Sequence, residues 1–186
     1  GFYYSSYDKP DGSELSAMTD QHKLYYHKLG TPQSEDKVVF GGTPDQKYRY
    51  IGGGVTDDQK YLVISASTST NGNKMFMKKL DGKGDFIPVV DNFDTNTYLL
   101  HNEGDKLWLV TDYNAPNQRI VTTNLNDPSP ANWKDLIPET DHVLSPSTGG
   151  GYIFAEYMVD AVSQVKQYDY SGKLVRELEL PGIGNG

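Results

Sequence analysis

Strand-like runs recur along this chain at a nearly fixed interval. The apolar centres Tyr61, Trp108 and Ile153 are spaced 47 and 45 residues apart. A second series, Tyr25, Phe76, Ile120 and Val165, follows at 51, 44 and 45, and a third, Val38, Val89, Leu136 and Val175, at 51, 47 and 39. Three series thus share a repeat of about 45 residues holding about four strands, which is the spacing of β-propeller blades. Leading strands fit at YIGGGVT (50–56), TYLLHNEG (97–104) and VLSPSTGGG (143–151). The fold class expected is all-β: a partial β-propeller of about three full four-stranded antiparallel blades plus part of another. The blades fall near 48–92, 95–139 and 142–181, after a partial blade at 1–42. A sandwich of about twelve strands fits the same short runs, but it does not require regular spacing.

The chain opens on GFYYSSYDKP, a stretch that suits a pleated, half-buried strand better than a loose terminus. Read as a second strand, GFYYSSY implies that the first strand of its blade lies before Gly1. Closed propellers have about four to eight blades. The chain is therefore expected to be a fragment of a single propeller domain. Isolated, such a piece exposes strand edges and blade faces, so marginal stability and self-association are expected.

Charge narrows the partners. A net charge of −8 with 17 basic and 25 acidic residues, the bases scattered, argues against nucleic acid and anionic membranes. No apolar run is long enough to span a bilayer, so the chain reads as soluble, with no membrane partner. The absence of Cys removes disulfides, thiolate metal sites and a Cys nucleophile, and leaves the compartment, cytoplasm or periplasm, open.

A recognisable catalytic constellation is hard to find. Ser13, Ser147 and Ser171 have nearby glycines but no G-x-S-x-G elbow. His22 and His27 bracket the start of a strand, five residues apart and hence on opposite faces; with His101 and His142 they are expected to be structural or solvated. In NFDTNTYLLHNE, residues Asn92, Asp94, Asn96 and Glu103 fall at calcium-loop ligand positions. Thr97 replaces the Gly that such a loop needs, and both flanks read as strands, so Asx turns explain the stretch better. The glycine runs 52–54 and 149–151 are expected to allow close backbone approach in crowded first strands. No metal and no cofactor are called for.

Several stretches resemble the propeller domain of the prolyl oligopeptidase family of serine peptidases. GFYYSSYDKP followed by QHKLYYHKLGTPQSEDKVVF is similar to that family's G-F-x-Y-x-x-Y strand and K-L-Y-Y-H-x-L-G-T-x-Q-S-E-D segment. PANWKDLIPE resembles its W-K-x-L-x-P-E segment, and YIGGGVTDDQKYLVISAS, VDNFDTNTYLLHNEGDKLWLVTDYNAPNQRIV and LVRELELPGIG extend the likeness over essentially all 186 residues. Oligopeptidase B is a close relative, but the Y-Y-H-x-L-G-T-x-Q-S-E-D wording sits nearer to the prolyl enzymes.

The resemblance implies a parent prolyl endopeptidase in which a seven-bladed propeller restricts entry to an α/β-hydrolase domain that cleaves short peptides after proline. Its Ser, Asp, His triad would lie beyond Gly186, leaving this fragment inactive. The partners implied are the hydrolase domain, the remaining blades and short proline-containing peptides. A family Arg that contacts bound peptide corresponds to Ser67 here, within the polar stretch SASTSTNGNK (65–74), which reads either as a substrate-reaching loop or as an ordinary hairpin connection. The competing reading is a non-catalytic propeller or sandwich that binds protein or carbohydrate.

Overall fold

The computed structural model describes residues 1–7 and 21–181. Residues 8–20, with Ser13, and the end of LVRELELPGIG at 182–184 lie outside the described residues. The chain divides into two compact units, residues 1–94 and 95–186.

The first unit contains two antiparallel sheets. One is formed in the order β1 (Phe2–Tyr7), β2 (His22–His27), β3 (Lys37–Phe40); the other in the order β4 (Tyr50–Val55), β5 (Tyr61–Ser67), β6 (Lys74–Lys79), β7 (Ile87–Val90). Period-two alternation in YLVISAS places Leu62, Ile64 and Ala66 on one face of β5, where they are buried with Ile51 against Leu24 and Phe40. Phe40 stacks on Tyr48 at 5.8 Å between centroids and meets Phe76 at 5.1 Å, so aromatic area fills much of this core.

The second unit repeats the plan. Its sheets run β8 (Thr97–Glu103), β9 (Lys106–Thr111), β10 (Arg119–Asn124), β11 (Lys134–Ile137), and β12 (Ser145–Gly149), β13 (Tyr152–Val159), β14 (Val162–Tyr168), β15 (Leu174–Pro181). Trp108, Val110, Ile120 and Ile137 bury one face against Leu144, Ile153, Ala155 and Tyr157. Thr97 and Thr111, opposite each other in register, share a buried hydroxyl hydrogen bond of 2.8 Å, which gives each a partner inside the sheet.

One irregularity occurs in all four sheets. The pairing of the last two strands shifts register at Leu24/Tyr25, Met75/Phe76, Ile120/Val121 and Gln167/Tyr168. A bulge there adds local twist. It falls at the repeat positions Tyr25, Phe76 and Ile120 in three sheets and past Val165, at the end of β14, in the fourth, so each sheet ends on a bulged pairing of its last two strands in one common plan. In that plan β1 stands where the other sheets have their second strand.

The recurrent positions are not equally buried. Tyr61, Trp108 and Ile153 in second strands are core residues, whereas in the last strands Val89 is buried but Val38 and Val175 are 50% and 44% exposed. The glycine runs also divide. At Gly53 a side chain would meet Leu24 Cδ2 at 2.7 Å, so close approach holds there, but Gly52 and Gly54 have nothing within 4 Å. Gly150 and Gly151, at φ +58° and +86°, instead form the two-residue hairpin turn between β12 and β13, a conformation that L residues resist.

Candidate functional site

Ser67 is the last residue of β5, opposite Tyr50 of β4, and is half-buried. β5 runs through Ser67 and β6 begins at Lys74, leaving 68–73 of the polar stretch as the connection. That connection is a built loop. Ser69 Oγ donates to the Asn71 carbonyl (2.9 Å), and Gly72 takes φ +79° where a Cβ would meet the Phe93 backbone. Thr68, Ser69, Thr70 and Asn71 are exposed, so hydroxyl and amide groups are presented at this end of the sheet.

Pairing register brings a residue that the sequence does not single out beside Ser67. Arg49 donates its backbone N–H to the Ser67 carbonyl (3.0 Å), and its own carbonyl accepts the Tyr7 hydroxyl (3.0 Å). The next peptide is held as firmly, since Ile51 N–H donates to His22 Nδ1 (2.7 Å) and Ser5 Oγ donates to the Ile51 carbonyl (2.6 Å). His22 stacks on Tyr7 at 4.3 Å. An imidazole nitrogen that accepts a hydrogen bond is unprotonated, and burial lowers the His22 pKa, so the ring stays neutral as a backbone acceptor.

His27 lies on the opposite face of β2, as spacing requires. Its Nδ1 donates to Asp36 Oδ1 at 2.6 Å, while the Tyr4 hydroxyl donates to Asp36 Oδ2 at 2.6 Å. The Asp36 side chain is only 3% exposed. The Tyr4 hydrogen bond, opposed by burial and helped by His27, holds Asp36 below the usual carboxylate range; the same bond, with burial, raises Tyr4. This cluster ties the start of β3 to β1 and β2. A depressed folded pKa gives stability that is present above the unfolded carboxylate pKa and lost as pH falls through the folded one. Replacing Tyr4 with Phe removes the main cause. The stability difference between wild type and Tyr4→Phe, measured by urea unfolding across a pH series, should be largest near neutrality and shrink in acid. A pH-independent difference would assign the loss to packing alone.

The remaining sequence candidates are accounted for locally. His101 stacks on Tyr170 at 3.9 Å, and His142 is exposed with its backbone N–H on Thr140 Oγ1. Asn92 Oδ1 accepts the Asp94 N–H, an Asx turn, and Asn96 donates from both N–H and Nδ2 to Asp112 at 2.8 Å. Among the described residues no group of three His, Asp or Glu is placed to hold a metal. An open polar groove of about 480 Å³ in the second unit is lined by Lys106, Thr122, Asn124 and Lys134 with Asp127, and so mixes both charges.

Residues 1–185 match the family described as prolyl oligopeptidase, N-terminal β-propeller domain. The chain belongs to this family. It is 56% identical over 185 residues to a prolyl endopeptidase of Elizabethkingia miricola, covering 99% of this chain and 26% of the relative. A prolyl endopeptidase of Elizabethkingia meningoseptica is 56% identical over 186 residues, 100% of this chain and 26% of the relative. Among solved structures, a prolyl endopeptidase from a study of inter-domain dynamics in catalysis and specificity superposes with TM-score 0.84 at 29% identity, covering 99% of this chain and 27% of that one. Prolyl oligopeptidase B from Galerina marginata, bound to a 35mer hydrolysis and macrocyclization substrate, gives 0.82 at 25% identity over 96% of this chain and 25% of that one. The chain thus spans about a quarter of the length of these relatives. Its four antiparallel sheets are those of the prolyl oligopeptidase propeller, which decides between blades and a sandwich.

Proposed function

We propose that this chain is the substrate-gating propeller portion of a serine-type prolyl endopeptidase that hydrolyses short peptides after proline. In this reading the sheets near 1–42, 48–92, 95–139 and 142–181 are successive blades of one ring. Further blades complete it, and an α/β-hydrolase domain supplies the Ser, Asp and His. The chain alone is inactive. The observation that carries the reading is 56% identity sustained over the whole chain to enzymes named prolyl endopeptidase.

Ser67 and the loop 68–73 form the substrate-facing part of this unit. Ser67 offers a hydroxyl where a guanidinium fork would grip a carbonyl or carboxylate, so recognition at this point is weaker or shared with neighbours.

The test uses the full-length protein that carries this chain. It should cleave a short chromogenic peptide after proline, leave a folded protein with the same sequence intact, and lose activity on reaction with a serine-directed phosphonate. Cleavage that survives the phosphonate, or that ignores proline, would overturn the assignment.

A further inference from the structure

We propose that Arg49, stacked on Tyr50 beside Ser67, is a carboxylate-binding group for the peptide that passes this end of the sheet. The inference rests on the peptidase reading for the identity of its ligand, and on geometry for the rest. Both sides of the Arg49 peptide are fixed, by Ser67 and by Tyr7, and the following residue is fixed by His22 and Ser5. The side chain leaves this anchored backbone with its guanidinium carbon 5.5 Å from the Tyr50 ring centroid, a cation–π contact that orients the fork, and the residue is exposed.

Among the described residues no carboxylate pairs with Arg49, although acidic residues outnumber basic ones by 25 to 17. Other cations in the same protein do find partners: Arg119 reaches Asp135 at 2.6 Å and Lys74 reaches Asp91 at 3.3 Å. Around Arg49 stand Tyr50 and Tyr7, 40% and 37% exposed, and the hydroxyls of Ser67 and Thr68. An oriented guanidinium, two open aromatic rings and hydroxyl donors complement a peptide that carries a carboxylate next to a flat apolar residue. The carboxylate can come from the peptide's C-terminus or from an acidic side chain.

Three peptides of one proline-containing sequence separate these sources: one with a free C-terminus, its amide, and the amide with Glu one residue from the end. In the full-length protein, kcat/KM for a carboxylate-bearing peptide should exceed that for the plain amide by about tenfold, the scale of one charge-assisted contact. Whichever of the first and third peptides gains identifies the source. Arg49→Gln should bring the ratio to about one through KM, and Arg49→Lys should keep part of it, since a point charge lacks the fork. No preference in the wild-type protein, or a preference that survives Arg49→Gln, overturns the proposal. If the protein cleaves none of the three, the peptidase reading fails separately. Calorimetric titration of the same peptides then decides the inference: a carboxylate preference lost in Arg49→Gln supports it, and equal binding overturns it.

Discussion

Trp108→Ala should destabilise the chain by about 3–5 kcal/mol, the range for deleting a fully buried aromatic side chain. Trp108 is 1% exposed at the centre of the second unit's core, where it packs with Val110, Ile120 and Ile153. Truncation removes apolar burial and leaves a cavity that two packed sheets cannot collapse, because their strands are pinned in register. It also removes the donor to a distant carbonyl, for Trp108 Nε1 donates to Tyr170 O at 3.0 Å across 62 residues of sequence. His101 and Tyr170, which meet the indole at 4.9 and 5.5 Å, lose a shared surface. Trp108→Phe separates the contributions: most of the apolar area remains but the Tyr170 carbonyl loses its donor, so the cost should be smaller and dominated by the lost hydrogen bond. Urea unfolding of the three proteins gives both differences. A Trp108→Ala cost below about 1 kcal/mol would mean that this core is loosely packed and that the indole is held mainly by its rim.

Much of the fold was legible because blade strands have short, regular patterns. The strand centres Val38 and Tyr61 and the opening GFYYSSY fall in β3, β5 and β1, since alternation and flanking turn residues act locally. The four-strand repeat was legible for the same reason. The candidate site was less so. Arg49 carries no motif; it matters through register, which places it beside Ser67, and through the hydrogen bond from Tyr7, 42 residues away. In sequence Asp36 is only one of two adjacent acidic residues, Glu35–Asp36, and it takes the pairing of β1 with β2 and of β2 with β3 to bring Tyr4 and His27 onto its two oxygens. The glycine runs misled because a string of three glycines does not say which one meets a neighbour and which one turns the chain.

Gly72→Ala should have the other large effect, about 3–5 kcal/mol, with loss of the loop beside Ser67. Gly72 sits at φ +79°, in the left-handed region, which costs an L residue about 1–2 kcal/mol. The larger penalty is steric. A Cβ at this position would be driven into the Phe93 carbonyl oxygen, with the carbonyl carbon 2.7 Å away. Backbone cannot swing aside as a flexible side chain can, so either the 68–73 loop lifts or the segment after β7 moves. Gly30→Ala supplies the comparison, because Gly30 has φ +87° but nothing within 4 Å of where a Cβ would stand, leaving only the conformational cost. Ala also restricts the unfolded chain, which offsets both substitutions by a similar few tenths to about 1 kcal/mol. The difference between the two variants in urea unfolding therefore isolates the clash with Phe93. If Gly72→Ala costs no more than Gly30→Ala, the loop is free to relax, and its fixed presentation of Ser67, Thr68 and the neighbouring Arg49 loses its physical basis.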